Sequence, residues 1–258
     1  MEPVTPDPKQ LRKTAWILIA IMIAGGFLVL KAYNHWARKQ LSGPTQVPAK
    51  VHRIVEERSL RMLRQDGSQE DLFSLRGKVV ALNVVSLSQP DDSKLVEAEM
   101  QRLAEKHQDH EDFRLVTLVL DPPSEPSGLS RTLGETAAAR SMSLPQWWLG
   151  TNEEKTLHKF IRSELKPSVP PERVDGKWKF DTAIVLIDRD GNLSRPKIIQ
   201  RPESAASGQV YVATFDFNEA ASWDALGIGT NTDLTNAAQL RKLLDETIAT
   251  LLATPLRQ

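Results

Sequence analysis

Between an apolar run and a helical pattern, the segment Ser86-Leu87-Ser88-Gln89-Pro90-Asp91-Asp92-Ser93 gathers hydroxyls, an amide and two carboxylates. A strand–loop–helix junction is a common place for an α/β protein to keep reactive groups. The chemistry open to this one is narrow. Ser86, Ser88 and Ser93 lack a Gly-x-Ser-x-Gly setting and a nearby His, which argues against a hydrolase triad. Asp91, Asp92 and Ser93 suit the start of the helix that follows, because such groups stabilise a helix N-terminus by roughly 1 kcal/mol. The competing role for the two carboxylates is a weak cation site or general acid/base work.

Other residues with chemical capacity read more blandly. His107-x-x-His110-Glu111 has i, i+3 spacing that suits a transition metal, but it sits in the charge-dense "EKHQDHED", which reads as a solvated helix end. His158 neighbours Leu157 and Phe160 and suits packing better than ligation, while His35 and His52 flank a linker. Trp147 and Trp148 read as strand residues with one ring in the core. "GIGTN", Gly227 to Asn231, lacks a P-loop lysine or a dinucleotide spacing. The chain has no cysteine, which excludes disulfides, thiol catalysis, thiolate metal sites and iron–sulfur clusters.

The elements that must position the loop follow from periodicity. Lys78 to Val85 reads as a buried central strand and Phe113 to Asp121 as a second. Ser93 to Lys106 places Leu95, Val96, Met100 and Leu103 on one helical stripe. A hairpin around Asp66-Gly67 precedes them, and a helix from Leu129 to Arg140 follows. Next come a short strand "QWWLGT", a helix from Asn152 to about Glu164, and a hairpin turning at Asp188 to Gly191. A C-terminal helix from Asn236 to Leu252 ends the pattern. Alternation of this kind predicts an α/β sheet with flanking helices, and the closing antiparallel hairpin is the arrangement of a thioredoxin-like fold. Residues 204–230, Gly/Ser/Ala-rich with the strand-like "QVYVATFDF", predict an extra strand or loop near the sheet edge.

The 258 residues carry 40% apolar and 26% charged side chains, with 33 basic against 33 acidic, so no nucleic-acid footprint shows at whole-chain level. Ala15 to Leu30 is uncharged and is extended by Thr14 and Ala32-Tyr33 toward the roughly 20 residues that span a bilayer. No small-x-small cleavage site follows it, which favours a retained signal anchor over a cleaved signal peptide. The predicted organisation is a cytoplasmic tail (1–13), a transmembrane signal anchor (14–33), a linker (34–58) and one domain (59–258). Basic residues flank both ends of the span, so charge alone gives little orientation; the short N-terminal tail places the domain in the periplasm or outside.

Four segments, "LRQDGSQEDLFSLRGKVVALNVV", "LVTLVLDPP", "QWWLGTNEEKTLHKF" and "DTAIVLIDRDGNL", run in the order found in the Sco/SenC family, which the chain resembles over most of Ser59 to Asp190. These are membrane-anchored, thioredoxin-like proteins linked to copper delivery to cytochrome c oxidase. The specific elements are the Asp-Pro after the second strand and the Trp-x-x-Gly strand end leading into a helix. The resemblance implies a copper site of Cys-x-x-x-Cys in the loop and a His before the late strand, a soft set suited to copper. Laid on this sequence, those positions fall at Gln89, Ser93 and Asp181. Amide, hydroxyl and carboxylate replace two thiolates and an imidazole, so neither copper nor thiol–disulfide exchange carries over. The same alignment would bring Asp91, Asp92 and Asp181 together, an oxygen set that suits only a hard cation.

The resemblance therefore implies a tethered, non-enzymatic binding or assembly factor for a respiratory complex, with no cofactor, a protein partner and no nucleic acid. The alternatives are a carboxylate-based metal-dependent enzyme and a structural envelope protein.

Overall fold

The computed structural model describes residues 48–122, 126–200, 209–212, 214–228 and 234–256, together with Met22. Residues 47–258 form one compact unit, and it holds every buried apolar residue among those described. The predicted anchor at 14–33 falls outside the described residues apart from Met22. Among those described, no helix is long and apolar enough to cross a membrane.

The sheet is organised around β4 (Val79–Val85), seven consecutive buried residues. It pairs in parallel with β5 (Phe113–Val119), from Val79↔Phe113 to Val85↔Val119, and β5 pairs in parallel with β6 (Trp147–Thr151). On the other side of β4 lies the antiparallel β9 (Val185–Ile187), joined through the Asp188–Gly191 turn to β10 (Asn192–Arg195). Because strand side chains alternate, Val79, Ala81 and Val85 meet one layer and Val80, Leu82 and Val84 the other. The first layer is closed by α1 (Lys94–Lys106), α2 (Pro126–Ala139) and α5 (Asn236–Ala253), through Val96, Met100, Leu133, Leu244 and Ile248. The second is closed by α3 (Glu154–Phe160) and the π-helical turn Ile161–Leu165, through Leu157, Phe160 and Ile161.

One strand residue breaks the apolar rule. Asn83 is fully buried and accepts from Thr117 Oγ1 at 2.7 Å, while Thr117 Oγ1 accepts from Trp147 Nε1 at 2.9 Å. The run read as apolar thus carries a polar line across three strands. Both Trp147 and Trp148 are buried, on opposite faces. Gly150 sits where β2 (Arg61–Arg64) crosses β6. A Cβ there would lie 2.5 Å from Met62 Sδ and 3.1 Å from the Leu63 carbonyl.

Three elements depart from the sequence pattern. Ala49–Arg53 forms β1, antiparallel to β10, so the domain begins before residue 59 and part of the predicted linker is an edge strand. Its His52, read as a plain flanking residue, contacts the buried Glu164 at 2.7 Å. A small hairpin of β7 (Glu172–Val174) and β8 (Lys177–Lys179) interrupts the Pro-rich stretch. Within 204–230, β12 (Gln209–Val212) pairs with β11 (Lys197–Gln200), and Phe217–Ala225 is a helix, α4, that packs on α5 and α1. Asp216 caps α4 by accepting from the N–H groups of Asn218 and Glu219, a local signal hidden by the strand-like residues before it.

Candidate functional site

The loop Ser86–Ser93 leaves the carboxyl end of β4 and is held by residues from three other elements. The first is Asp121, just past β5. Its carboxylate accepts from Ser86 Oγ at 2.7 Å, Leu87 N–H at 2.7 Å, Ser88 N–H at 3.1 Å and Ser88 Oγ at 2.5 Å. Burial works to raise the Asp121 pKa, but the donors from Ser88, Ser86 and Leu87 outweigh it and hold the carboxyl below its ordinary value.

The second tie is Gln89. Its Nε2 donates to the Trp178 carbonyl at 3.1 Å and to Asp92 Oδ2 at 2.7 Å, while its Oε1 accepts from the Trp178 N–H. The amide therefore meets β8 as the backbone of a neighbouring strand would, donating and accepting at one residue. Only one orientation of the amide satisfies all three partners. Trp178 packs beneath the hairpin, edge-on to the His158 ring at 5.0 Å and under the Arg173 guanidinium at 4.8 Å. This is the packing role read for His158, with its Nε2 3.4 Å from the Leu120 carbonyl.

The third tie is Asn218 at the start of α4, whose Nδ2 donates to the Asp92 carbonyl at 2.7 Å and Thr182 Oγ1 at 2.9 Å. Through it the loop meets the segment that carries Asp181. That carboxylate faces inward along its own chain. Its Oδ2 accepts from the Ser168 N–H at 2.6 Å and its Oδ1 from the Ala183 N–H at 2.9 Å.

Ser93 corrects the capping expectation. Residues Pro90–Ser93 form a 3-10 turn ahead of α1, and Ser93 is buried with no capping bond to the helix backbone. Its hydroxyl donates instead to Glu97 Oε1 at 2.7 Å, and Arg140 pairs with the same oxygen at 2.7 Å. Asp91 and Asp92 remain exposed in the first turn, where their charge suits the helix dipole. Among the described residues, no three or more His, Asp or Glu side chains are gathered to hold a metal. Asp91, Asp92 and Asp181 do not form such a group, and neither do His107, His110 and Glu111. His107 is tilted against Phe113 at 4.6 Å instead.

Asp121, Trp178 and Asn218 are the site residues that sequence reasoning did not single out. Asp121 had a signal, since its Asp-Pro pair marks the resemblance, but nothing local shows that its carboxylate crosses to the neighbouring loop.

The parallel β4–α1–β5 unit, the antiparallel β9–β10 hairpin on the other side of β4 and the closing helix α5 together define the topology. The fold is thioredoxin-like. No family model and no curated protein matches the chain. Similar solved structures include BsSco, a member of the Sco family of cytochrome c oxidase assembly proteins, at 18% identity and a TM-score of 0.47, covering 60% of this chain and 87% of that one. A SCO1/SenC family lipoprotein from Bacillus anthracis is similar at 14% identity and 0.46, covering 78% and 98%. ScoI from Bradyrhizobium japonicum, solved with copper bound, is similar at 20% identity and 0.42, covering 55% and 89%.

Proposed function

We propose that this chain is a tethered, extracytoplasmic Sco-like binding or assembly factor for a respiratory complex of the cytochrome oxidase kind, anchored by residues 14–33. In this reading recognition of a protein partner takes the place of metal and thiol chemistry. The observation that carries it is the pairing of Gln89 with Trp178. At the position where the resemblance calls for a soft ligand, a neutral amide closes the loop onto β8.

The other two positions support the same reading. Ser93 is buried against Glu97, and Asp181 is tied to two backbone N–H groups. An amide, a hydroxyl and a carboxylate, each engaged by protein, do not fit copper, which favours thiolate and imidazole. With no cysteine in the chain, no disulfide can cycle. A framework that keeps the loop and fixes its shape suits a docking surface better than a reactive centre.

Crosslinking in native membranes tests the proposal. Recovery of oxidase or other respiratory subunits is the expected result, and reproducible recovery of none returns the chain to a structural envelope role. Titration of residues 47–258 with Cu(I), Cu(II), Zn²⁺ and Ca²⁺ tests the loss of the metal site. Sub-micromolar copper binding would overturn that part, and tight Ca²⁺ or Zn²⁺ binding abolished in Asp181→Ala would favour the carboxylate-based enzyme.

A further inference from the structure

On the second face of the sheet, the segment of α3 and its π-helical turn and the neighbouring β7–β8 hairpin expose more basic than acidic side chains. Lys155 and Lys159 lie one turn apart on α3, Arg162 follows in the π-helical turn and Lys166 ends it in a left-handed conformation, a basic stripe along the segment. The β7–β8 hairpin, packed against α3 by the His158–Trp178 contact, adds Lys177 and Lys179. All six are exposed, and among the described residues none forms an ion pair. The acidic residues of the same stretch offset them only in part. Glu164 is buried against His52 and Arg58, which leaves Glu172 and Asp175 at the surface. Glu153 and Glu154 precede the stripe at the start of α3. The chain as a whole carries zero net charge, so the positive charge here reflects segregation rather than composition.

The position and chemistry of this face bear on what it can meet. Lys166, the last cation of the stripe, has its carbonyl held by Arg195 at 2.6 Å, and Arg195 pairs with Ala49 at the start of β1. The stripe thus ends beside the point where the chain enters the domain from residues 1–46. Counting Arg173, exposed on β7 and stacked over Trp178, five of the seven cations are lysines. Lysine is a compact, hydrated point charge that binds phosphate without a fixed geometry, whereas arginine serves where a carboxylate or phosphate is gripped by two bonds. Val169, 42% exposed, lies between the stripe and the hairpin and adds an apolar contact.

We propose that this cationic face rests on the anionic phosphates of a lipid surface. It rests on the reading of residues 14–33 as an anchor, because anchoring keeps the domain at a high effective concentration near the headgroups. Each lysine or arginine near an anionic membrane adds a similar increment of attraction, so the stripe acts as a sum of weak contacts that salt screens.

Vesicle co-sedimentation of residues 47–258 tests the face without the anchor. The unit should bind phosphatidylcholine vesicles containing phosphatidylglycerol, release them as salt is raised, and ignore pure phosphatidylcholine. The triple variant Lys159→Gln/Arg162→Gln/Lys166→Gln should bind on the order of a hundredfold more weakly. Lys94→Gln/Arg61→Gln/Arg131→Gln, with the same loss of charge elsewhere on the surface, should bind like the parent. Failure to prefer anionic vesicles, or equal weakening by both triples, overturns the proposal and leaves the stripe to an acidic protein surface. Anchoring is read separately, from resistance of the full chain to carbonate extraction, so failure of one reading is distinguishable from failure of the other.

Discussion

The carboxylate of Asp121 and the hydroxyl of Ser88 lie 2.5 Å apart across the gap between the β5 end and the β4–α1 loop. Together with the Ser86 hydroxyl and two backbone N–H groups, this contact makes Asp121 a four-donor acceptor that fixes the loop. Asp121→Ala should lower stability by about 1–3 kcal/mol, the cost of leaving such donors unmatched. Urea unfolding at neutral pH checks this.

The same carboxyl predicts a pH dependence. Its folded pKa is held below the ordinary aspartate value, so the unfolded chain binds the proton more readily. The stabilisation is fully present above the unfolded pKa and is lost as pH falls through the folded one. Asp121→Asn should therefore be less stable than the parent at pH 7, with the gap narrowing on acidification. Unfolding curves for the two proteins from neutral to strongly acidic pH measure it, and a constant gap would contradict the assignment.

Gln89→Leu keeps the bulk of the side chain but removes its donor and acceptor. Amide exchange across 172–179 should then accelerate, because the hairpin loses its tie to the loop, while the β4 amides stay protected. Gln89→Glu should fall between, since it keeps the acceptor for the Trp178 N–H and sets a second negative charge beside Asp92.

On the opposite face, Arg102 joins the buried Glu99 of α1 to Asp245 of α5, at 2.7 Å and 2.9 Å. Burial acts to raise the Glu99 pKa, and bonds from Arg241 and Arg102 overcome it and leave the carboxyl below its ordinary value. Arg102→Met should cost about 1.5–3 kcal/mol, the worth of hydrogen bonds to charged groups. Arg241→Met, nearer the surface, should cost less because Arg102 still serves Glu99. Thermal denaturation of both variants ranks them.

Gly150→Ala should destabilise by about 1–3 kcal/mol, as overpacking does. Met62 Sδ ends a flexible side chain and can move, but the Leu63 carbonyl 3.1 Å from the added Cβ is backbone. Met62→Ala opens a core cavity of its own, so the relief is read as a coupling: Gly150→Ala should cost less in the Met62→Ala background than in the parent, but still cost something, by melting temperature.

The central sheet was legible because period and composition agree there: β4 and β5 are short, β-branched and bounded by turn residues. Asp188 to Gly191 announced the late hairpin for the same reason. β1 was not legible, since its alternation of exposed and half-buried residues matches a polar linker until β10 supplies its partner. Helix α4 was masked by the strand-like "QVYVATFDF" that leads into it. The loop itself could be located from sequence, and Gln89 and Asp181 were singled out there. Their partners could not be read. Gln89 meets Trp178, 89 positions away, through backbone atoms that carry no sequence signature.

The edge position of β1 also has a mechanical meaning. Load carried by the preceding chain enters the domain at Ala49, where β1 meets Arg195, and must lift that strand before it reaches β9 or β4. The His52–Glu164 contact lies three residues further in, a catch that holds once the first pairs have parted. Peeling from an end breaks bonds in succession rather than all together, so β1 would yield under tension while the central sheet keeps its shape.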